Sequence, residues 1–203
     1  MLAPVQGEAG VKIPDKAYLK AARDWCTEKG ILMILDEVQT GIGRLGTLFG
    51  YEQFGIEPDV MTLAKGLGGG VPIGAIMAKE KAAVFVPGEH GSTFGGNPLT
   101  CAAAYATLKY ILDNDVVGHV KTVGKHLLDG LGKLKQKYAF VTDVRGLGLL
   151  SAIEFKEEIG KAVLTACLEN GLLVNRVRPN ALRFMPSLIV SREEIDEALG
   201  ILD

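Results

Sequence analysis

Ile31-Leu32-Met33-Ile34-Leu35-Asp36-Glu37-Val38-Gln39 and, after a glycine-rich interval, Val60-Met61-Thr62-Leu63-Ala64-Lys65-Gly66-Leu67-Gly68-Gly69-Gly70 decide how this chain is read. Each is a wholly apolar run closed by residues of turn chemistry, the pattern of a parallel strand buried on both faces. In sheets of that kind ligands sit beyond the carboxyl ends of the strands. Asp36 and Lys65 fall at those ends. The pattern therefore predicts an acid and an amine facing one pocket.

Working outward, Asp15 or Pro14 opens a helix that runs through Lys29 and stops at Gly30. Residues 41–50 form a glycine-rich ordered loop and residues 51–54 a short helical turn. Residues 74–78 are a third apolar strand, and Pro98 heads a long helix over residues 99–112. This alternation predicts α/β architecture. The character changes after Asn114. Residues 116–138 read as a lysine-bearing amphipathic helix, 141–155 as two short strands around Arg145-Gly146-Leu147-Gly148, and 160–170 as a helix stopped by Gly171. Strands follow at 172–175 and 182–184, and Ser191 caps a last helix with Glu194 in the capping-box position. Mixed strands and helices in this order predict a second, α+β domain, with the boundary near residues 113–115. The first domain carries an oddity, since three strands are few for an open parallel sheet.

Composition excludes more than it identifies. With 203 residues, 48% hydrophobic and 23% charged, the chain is long enough to bury a sizeable core. A net charge of −2 makes neither nucleic acid nor an anionic membrane an expected partner. Cys26, Cys101 and Cys167 lie far apart, without C-x-x-C spacing or nearby histidines, so small buried thiols are expected rather than a disulfide framework or a zinc site. The N-terminus lacks the basic and apolar regions of a signal peptide and no apolar run reaches membrane-spanning length, which predicts a cytoplasmic protein.

Four features carry chemistry. Lys65 ends a strand and is followed by Gly66. Desolvation lowers a lysine pKa, and a neutral amine condenses with an aldehyde; the competing reading is a lysine snorkelling at a strand end. Asp36 either caps the following turn or, hydrogen-bonded to a pyridine nitrogen, keeps that nitrogen protonated and the ring an electron sink. Together, the two fit pyridoxal phosphate. The run Gly88-Glu89-His90-Gly91-Ser92-Thr93-Phe94-Gly95-Gly96-Asn97-Pro98 offers backbone and hydroxyl donors to an anion, although most glycine-rich loops are only turns. Arg183 stands inside Leu182-Arg183-Phe184-Met185-Pro186, where an unpaired guanidinium is costly. It calls for a carboxylate from the protein, with Glu8 a resting partner, or from a substrate.

Four segments in this order and spacing resemble the class III (subgroup II) pyridoxal-phosphate aminotransferases: Pro4-Val5-Gln6-Gly7-Glu8, Leu35-Asp36-Glu37-Val38-Gln39-Thr40-Gly41, Leu63-Ala64-Lys65-Gly66 and His90-Gly91-Ser92-Thr93-Phe94-Gly95-Gly96-Asn97-Pro98. Within the class, residues 62–74 look most like the branch acting on acetylornithine. The resemblance implies the aspartate-aminotransferase-like fold, fold type I. Residues 1–114 would be the C-terminal part of its large domain and residues 115–203 its small α+β C-terminal domain.

The resemblance also implies roles. Lys65 would bind the cofactor covalently and shuttle the proton. Asp36 would pair with the pyridine nitrogen, Val38 pack on the ring, Gln39 hydrogen-bond the phenolic oxygen, and Ser92 and Thr93 reach the phosphate of a neighbouring subunit. Arg183 would hold the substrate α-carboxylate, with Glu8 pairing or gating it. The implied reaction moves the terminal amino group of N-acetylornithine to 2-oxoglutarate, as in arginine biosynthesis, in a homodimer with shared active sites; ornithine, succinylornithine and 4-aminobutyrate are the alternative donors. There are two departures. Ala3 stands where the family usually has glutamate, and the chain matches the C-terminal half of the family, without the phosphate-holding main-chain segment and the stacking aromatic. The competing expectation is an inactive fragment or assembly module. A fold relative using the lysine for decarboxylation or racemisation is a third.

Overall fold

The computed structural model describes residues 1–203, which divide into two compact units. The first comprises Met1–Pro4, Pro14–Gly43 and Thr47–Asp115; the second comprises Val5–Ile13, Arg44–Gly46 and Val116–Asp203. Two short segments of the N-terminal part therefore group with the second unit rather than with their sequence neighbours.

In the first unit, α1 (Lys16–Glu28) begins where the Asp15 carboxylate accepts the Ala17 N–H at 2.7 Å, satisfying one of the donors a helix start leaves open. It closes through Gly30 at φ +64°, with the Gly30 N–H on the Thr27 carbonyl and the Ile31 N–H on the Cys26 carbonyl. That exit occupies Ile31. Strand β1 is consequently Ile34–Asp36, shorter than the apolar run, and Ile31 and Leu32 are exposed. Strand β2 (Val60–Leu63) lies parallel to β1, pairing Ile34 with Val60 and Asp36 with Thr62. Strand β3 (Ala75–Ala78) runs antiparallel on the far edge of β2, an orientation that an apolar run alone does not encode. Leu2 brackets the other side of β1. Burial alternates along β2, Met61 and Leu63 inward, instead of covering both faces. Helix α2 (Pro98–Asp113) starts with Pro98 in its first turn and the Asn97 side chain accepting the Thr100 N–H at 3.0 Å.

The second unit is a four-stranded antiparallel sheet under helices. Helix α3 (Val116–Lys137) buries Val116, Val120, Val123, Leu127, Leu131 and Leu134, a stripe at three- and four-residue spacing. Strands β4 (Val141–Leu147) and β5 (Leu150–Phe155) form the predicted hairpin, α4 (Gly160–Glu169) follows, and β6 (Asn175–Arg178) and β7 (Ala181–Phe184) complete a sheet in the order β4-β5-β7-β6. β6 starts at the residue where a strand over 172–175 was expected to end. Gly171 at φ +88° turns the chain out of α4 and the Leu172 N–H still returns to the Cys167 carbonyl, so pairing begins only at Asn175. Helix α5 (Arg192–Leu202) has the anticipated capping box between Ser191 and Glu194. No helix is long and apolar enough to cross a membrane.

Candidate active site

In the first unit the parallel register sets Asp36 beside Thr62, and Lys65 follows two residues past the end of β2. The acid closes β1 and the amine follows β2, both at the carboxyl ends of parallel strands, where an open sheet places its ligand sites. Asp36 is half-buried, and its Oδ1 accepts the Val38 N–H at 3.0 Å and the Thr62 hydroxyl at 3.4 Å. The first bond is the turn cap; the second comes from a residue whose contribution sequence alone did not reveal. Both fix the carboxylate's orientation.

Lys65 is exposed and sits at φ +44°, in the left-handed region. A non-glycine residue held there costs of order 1–3 kcal/mol, and such positions concentrate at functional sites. Lys65 lines a cleft of about 790 Å³ together with Ser92, Asn97, Thr100 and the 70–74 loop. Ser92 and Lys65 therefore share one cavity, whereas Thr93, Asp36, Val38 and Gln39 are not part of its lining. Val38 and Gln39 are half-buried in the turn after β1.

That turn is anchored from behind by Glu37, a carboxylate 1% exposed. Its Oε2 accepts the Thr40 hydroxyl at 2.5 Å and the Gly50 N–H at 2.8 Å, and its Oε1 accepts the Tyr51 N–H at 2.7 Å. Burial pushes its carboxyl above the usual range, and these three donors pull the other way. Adjacent acids are thereby divided between a side chain at the strand end and one inside the fold. The sequence signal for this was available: an acid immediately following a buried strand, with a threonine three residues on.

In the second unit Arg183, on β7, donates from Nη1 to Glu8 Oε1 at 2.7 Å and from Nη2 to Asn175 Oδ1 at 2.9 Å. The arginine side chain is 10% exposed and the glutamate 75% exposed. The cation is held in the sheet while the acid faces solvent. The role of Asn175 went unnoticed in the sequence because it opens a polar edge strand with no apolar pattern.

An amine for an aldehyde, an oriented carboxylate for a ring nitrogen, and hydroxyl with glycine-rich backbone for a phosphate form the donor set that a phosphorylated pyridine aldehyde requires. The sheet topology is that of the fold type I pyridoxal-phosphate aminotransferases. Residues 1–203 match the family described as aminotransferase class-III, and the chain belongs to that family of pyridoxal-phosphate-dependent transferases.

Its similarity to acetylornithine aminotransferase of Caldanaerobacter subterraneus subsp. tengcongensis is 54% identity over 203 residues, 100% of this chain and 52% of that protein. To the enzyme of the same name from Clostridium acetobutylicum it is 50% over 202 residues, 98% and 52% of the two chains. Among solved structures, acetylornithine aminotransferase from Elizabethkingia anophelis superposes with a TM-score of 0.94 at 38% identity, covering 99% of this chain and 52% of that one. Ornithine δ-aminotransferase of Plasmodium falciparum does so with a TM-score of 0.93 at 38% identity, covering 99% and 54%. The chain spans about half the length of the curated relatives it matches.

Proposed function

We propose that this chain is the lysine-bearing part of an aminotransferase that moves the terminal amino group of N-acetylornithine to 2-oxoglutarate. The observation that carries the chemistry is Lys65, strained at the end of β2 beside the strand that ends in Asp36. The names of the relatives at 54% and 50% identity support the donor. Ornithine is the second reading, favoured by the 38%-identical ornithine aminotransferase structure.

In this reading pyridoxal phosphate supplies an aldehyde for the donor's amine and a ring that accepts electron density. Asp36, oriented through the hydrogen bonds that its Oδ1 accepts, would keep the ring nitrogen protonated. Val38 would pack on the ring, Gln39 would hydrogen-bond the phenolic oxygen, and Ser92 and Thr93 would bind the phosphate of the neighbouring subunit in a homodimer. Lys65 would hold the cofactor through its amine and, when free, would serve as the general base and acid that moves the proton. Arg183 grips the α-carboxylate bidentately, with Glu8 vacating it for a dicarboxylate. A cytoplasmic setting in arginine synthesis, and reduced cysteines, belong to the same reading; of the three thiols expected to be buried only Cys167 is, Cys26 being half-buried and Cys101 exposed.

Borohydride reduction of the cofactor-loaded protein followed by peptide mapping tests it. The label is expected on Lys65 and absent in Lys65→Ala; a label on Lys79 or Lys81 overturns the assignment. Comparing N-acetylornithine with ornithine as donors at limiting concentration then separates the two substrate readings.

A further inference from the structure

Glu8 rides on a loop whose shape nothing so far explains. Gln6 and Lys12 exchange backbone hydrogen bonds at 3.0 Å, and the Gly10 and Val11 N–H groups both turn back to the Gly7 carbonyl. Inside this closure Gly10 sits at φ +94° and Val11 at φ +53°. Glycine accepts such backbone freely, but a β-branched residue does so only when its surroundings impose it. Val11 is fully buried.

The imposing group is Arg145. Its Nε and Nη2 donate to the Gly10 carbonyl at 2.9 and 2.6 Å, and Nε also reaches the Val11 carbonyl at 3.2 Å. The guanidinium is itself clamped by Asp143 at 2.6 Å and Glu154 at 2.7 Å, with Lys12 also on Glu154 at 3.5 Å. Burial works against both acids, yet Arg145 keeps each below its ordinary carboxylate range. Arg178 adds a bond from Nη1 to the Ala9 carbonyl at 3.4 Å, and a Cβ on Gly10 would press on Arg178 Cδ and Arg145 Nη2.

Register explains how one side chain governs the other end of the loop. Arg145 pairs with Ala152, Ala152 with Arg183, and Arg183 with Asn175, so all four form one row across the sheet. Directly opposed residues share a face. The row thus runs from arginine through a small residue to arginine and asparagine. Arg145 holds the loop's carbonyls on one side of Ala152, and Glu8 reaches Arg183 on the other.

We propose that Arg145 is a positioning residue for substrate discrimination, locking the Gly7 to Val11 loop so that Glu8 covers Arg183 and yields it to a substrate carboxylate by side-chain rotation alone. The inference rests on the reading of Arg183 as the carboxylate site. It assigns specificity to a residue that touches neither substrate nor cofactor.

Calorimetric titration with glutarate, a dicarboxylate that needs no cofactor turnover, tests it in wild type, Glu8→Gln, Arg145→Met and the double variant, alongside amide hydrogen exchange at Gly10 and Val11. A solvent-facing ion pair is worth about 0.2–1 kcal/mol, so Glu8→Gln should tighten glutarate roughly threefold in the wild-type background. In the Arg145→Met background the same change should have no effect, because the glutamate has already lost its seat. Exchange at Gly10 and Val11 should quicken about tenfold or more in Arg145→Met and stay unchanged in Glu8→Gln. If Arg145→Met does not fold, Arg145→Lys, which keeps the charge but loses the forked geometry, should show the same signs at smaller size. Equal Glu8→Gln effects in both backgrounds, or unaltered exchange, overturn the inference while leaving the carboxylate site standing. Glutarate affinity that Glu8→Gln does not change, or no glutarate binding in any variant, overturns the underlying reading of Glu8 and Arg183.

Discussion

Two buried carboxylates of the first unit, Asp59 and Glu37, meet opposite fates because of what surrounds them. Glu37 is held by neutral donors alone, and burial keeps its carboxyl above the usual range. Asp59 is buried too, but Lys81 at 2.6 Å, the Met33 N–H at 2.7 Å and Arg23 at 2.7 Å outweigh that cost and hold it far below the usual range. A depressed acid contributes stability that is present above its unfolded pKa, about 3.9, and is lost as pH falls through the folded value. Asp59→Asn strands a largely buried Arg23 and should cost about 3 kcal/mol at pH 7. In urea unfolding the gap between wild type and variant should shrink below about pH 4; a gap independent of pH would show that the charge is not the cause. Glu37 has the opposite slope, weighing against the fold as pH rises. At this scale the sequence singled out Asp36, Lys65 and Arg183 as candidates because each interrupts or ends an apolar run. It concealed Thr62 and Asn175, whose roles come from cross-strand register that no local pattern records.

Of the four glycines in helix α3, Gly124 and Gly132 are two that the sequence cannot tell apart. Gly124 lies against the hairpin turn at Gly148: a Cβ there would fall 2.4 Å from the Gly148 carbonyl oxygen and 2.8 Å from its Cα. Backbone cannot step aside as a side chain can, and Gly148 itself, at φ +54°, is backed by the Leu45 carbonyl carbon and the Arg44 carbonyl oxygen. Gly132 has nothing within 4 Å of the same position. Helix propensity favours alanine over glycine by about 1 kcal/mol at both, but overpacking costs about 1–3 kcal/mol or more where the neighbour is rigid. Gly132→Ala should raise the melting temperature and Gly124→Ala lower it, measured by circular dichroism. If both rise, the α3 crossing is looser than this geometry. The same contrast explains which elements were legible. α3 and α5 follow from apolar spacing and a capping box, whereas β1 and β6 begin late because helix exits at Gly30 and Gly171 consume the residues before them.

For the whole molecule, the division near Asp115 has a sequence signature, but the return of residues 5–13 and 44–46 to the second unit has none. Those segments are held by single long side chains acting on backbone. Arg145 grips the first, and in the second Arg44 donates to the carbonyls of Leu149 at 3.0 Å and Pro186 at 2.6 Å, its guanidinium pushed down to about 10 by burial. The first unit also keeps an open flank. β3 is the edge of its sheet, and Ile76 and Met77 on it are 70% and 48% exposed. An edge strand with apolar side chains and unpaired backbone groups is a template for another chain, and natural edges are blunted by charge within the strand, which residues 75–78 lack. The 203-residue chain should therefore self-associate with rising concentration. Ile76→Lys adds a charge at a position that contributes nothing to the core, so sedimentation velocity at matched concentration should move toward the monomer while circular dichroism stays unchanged. Association of equal strength in Ile76→Lys would mean that another surface carries it, with Phe94 and Leu99, 83% and 75% exposed, the next residues to change.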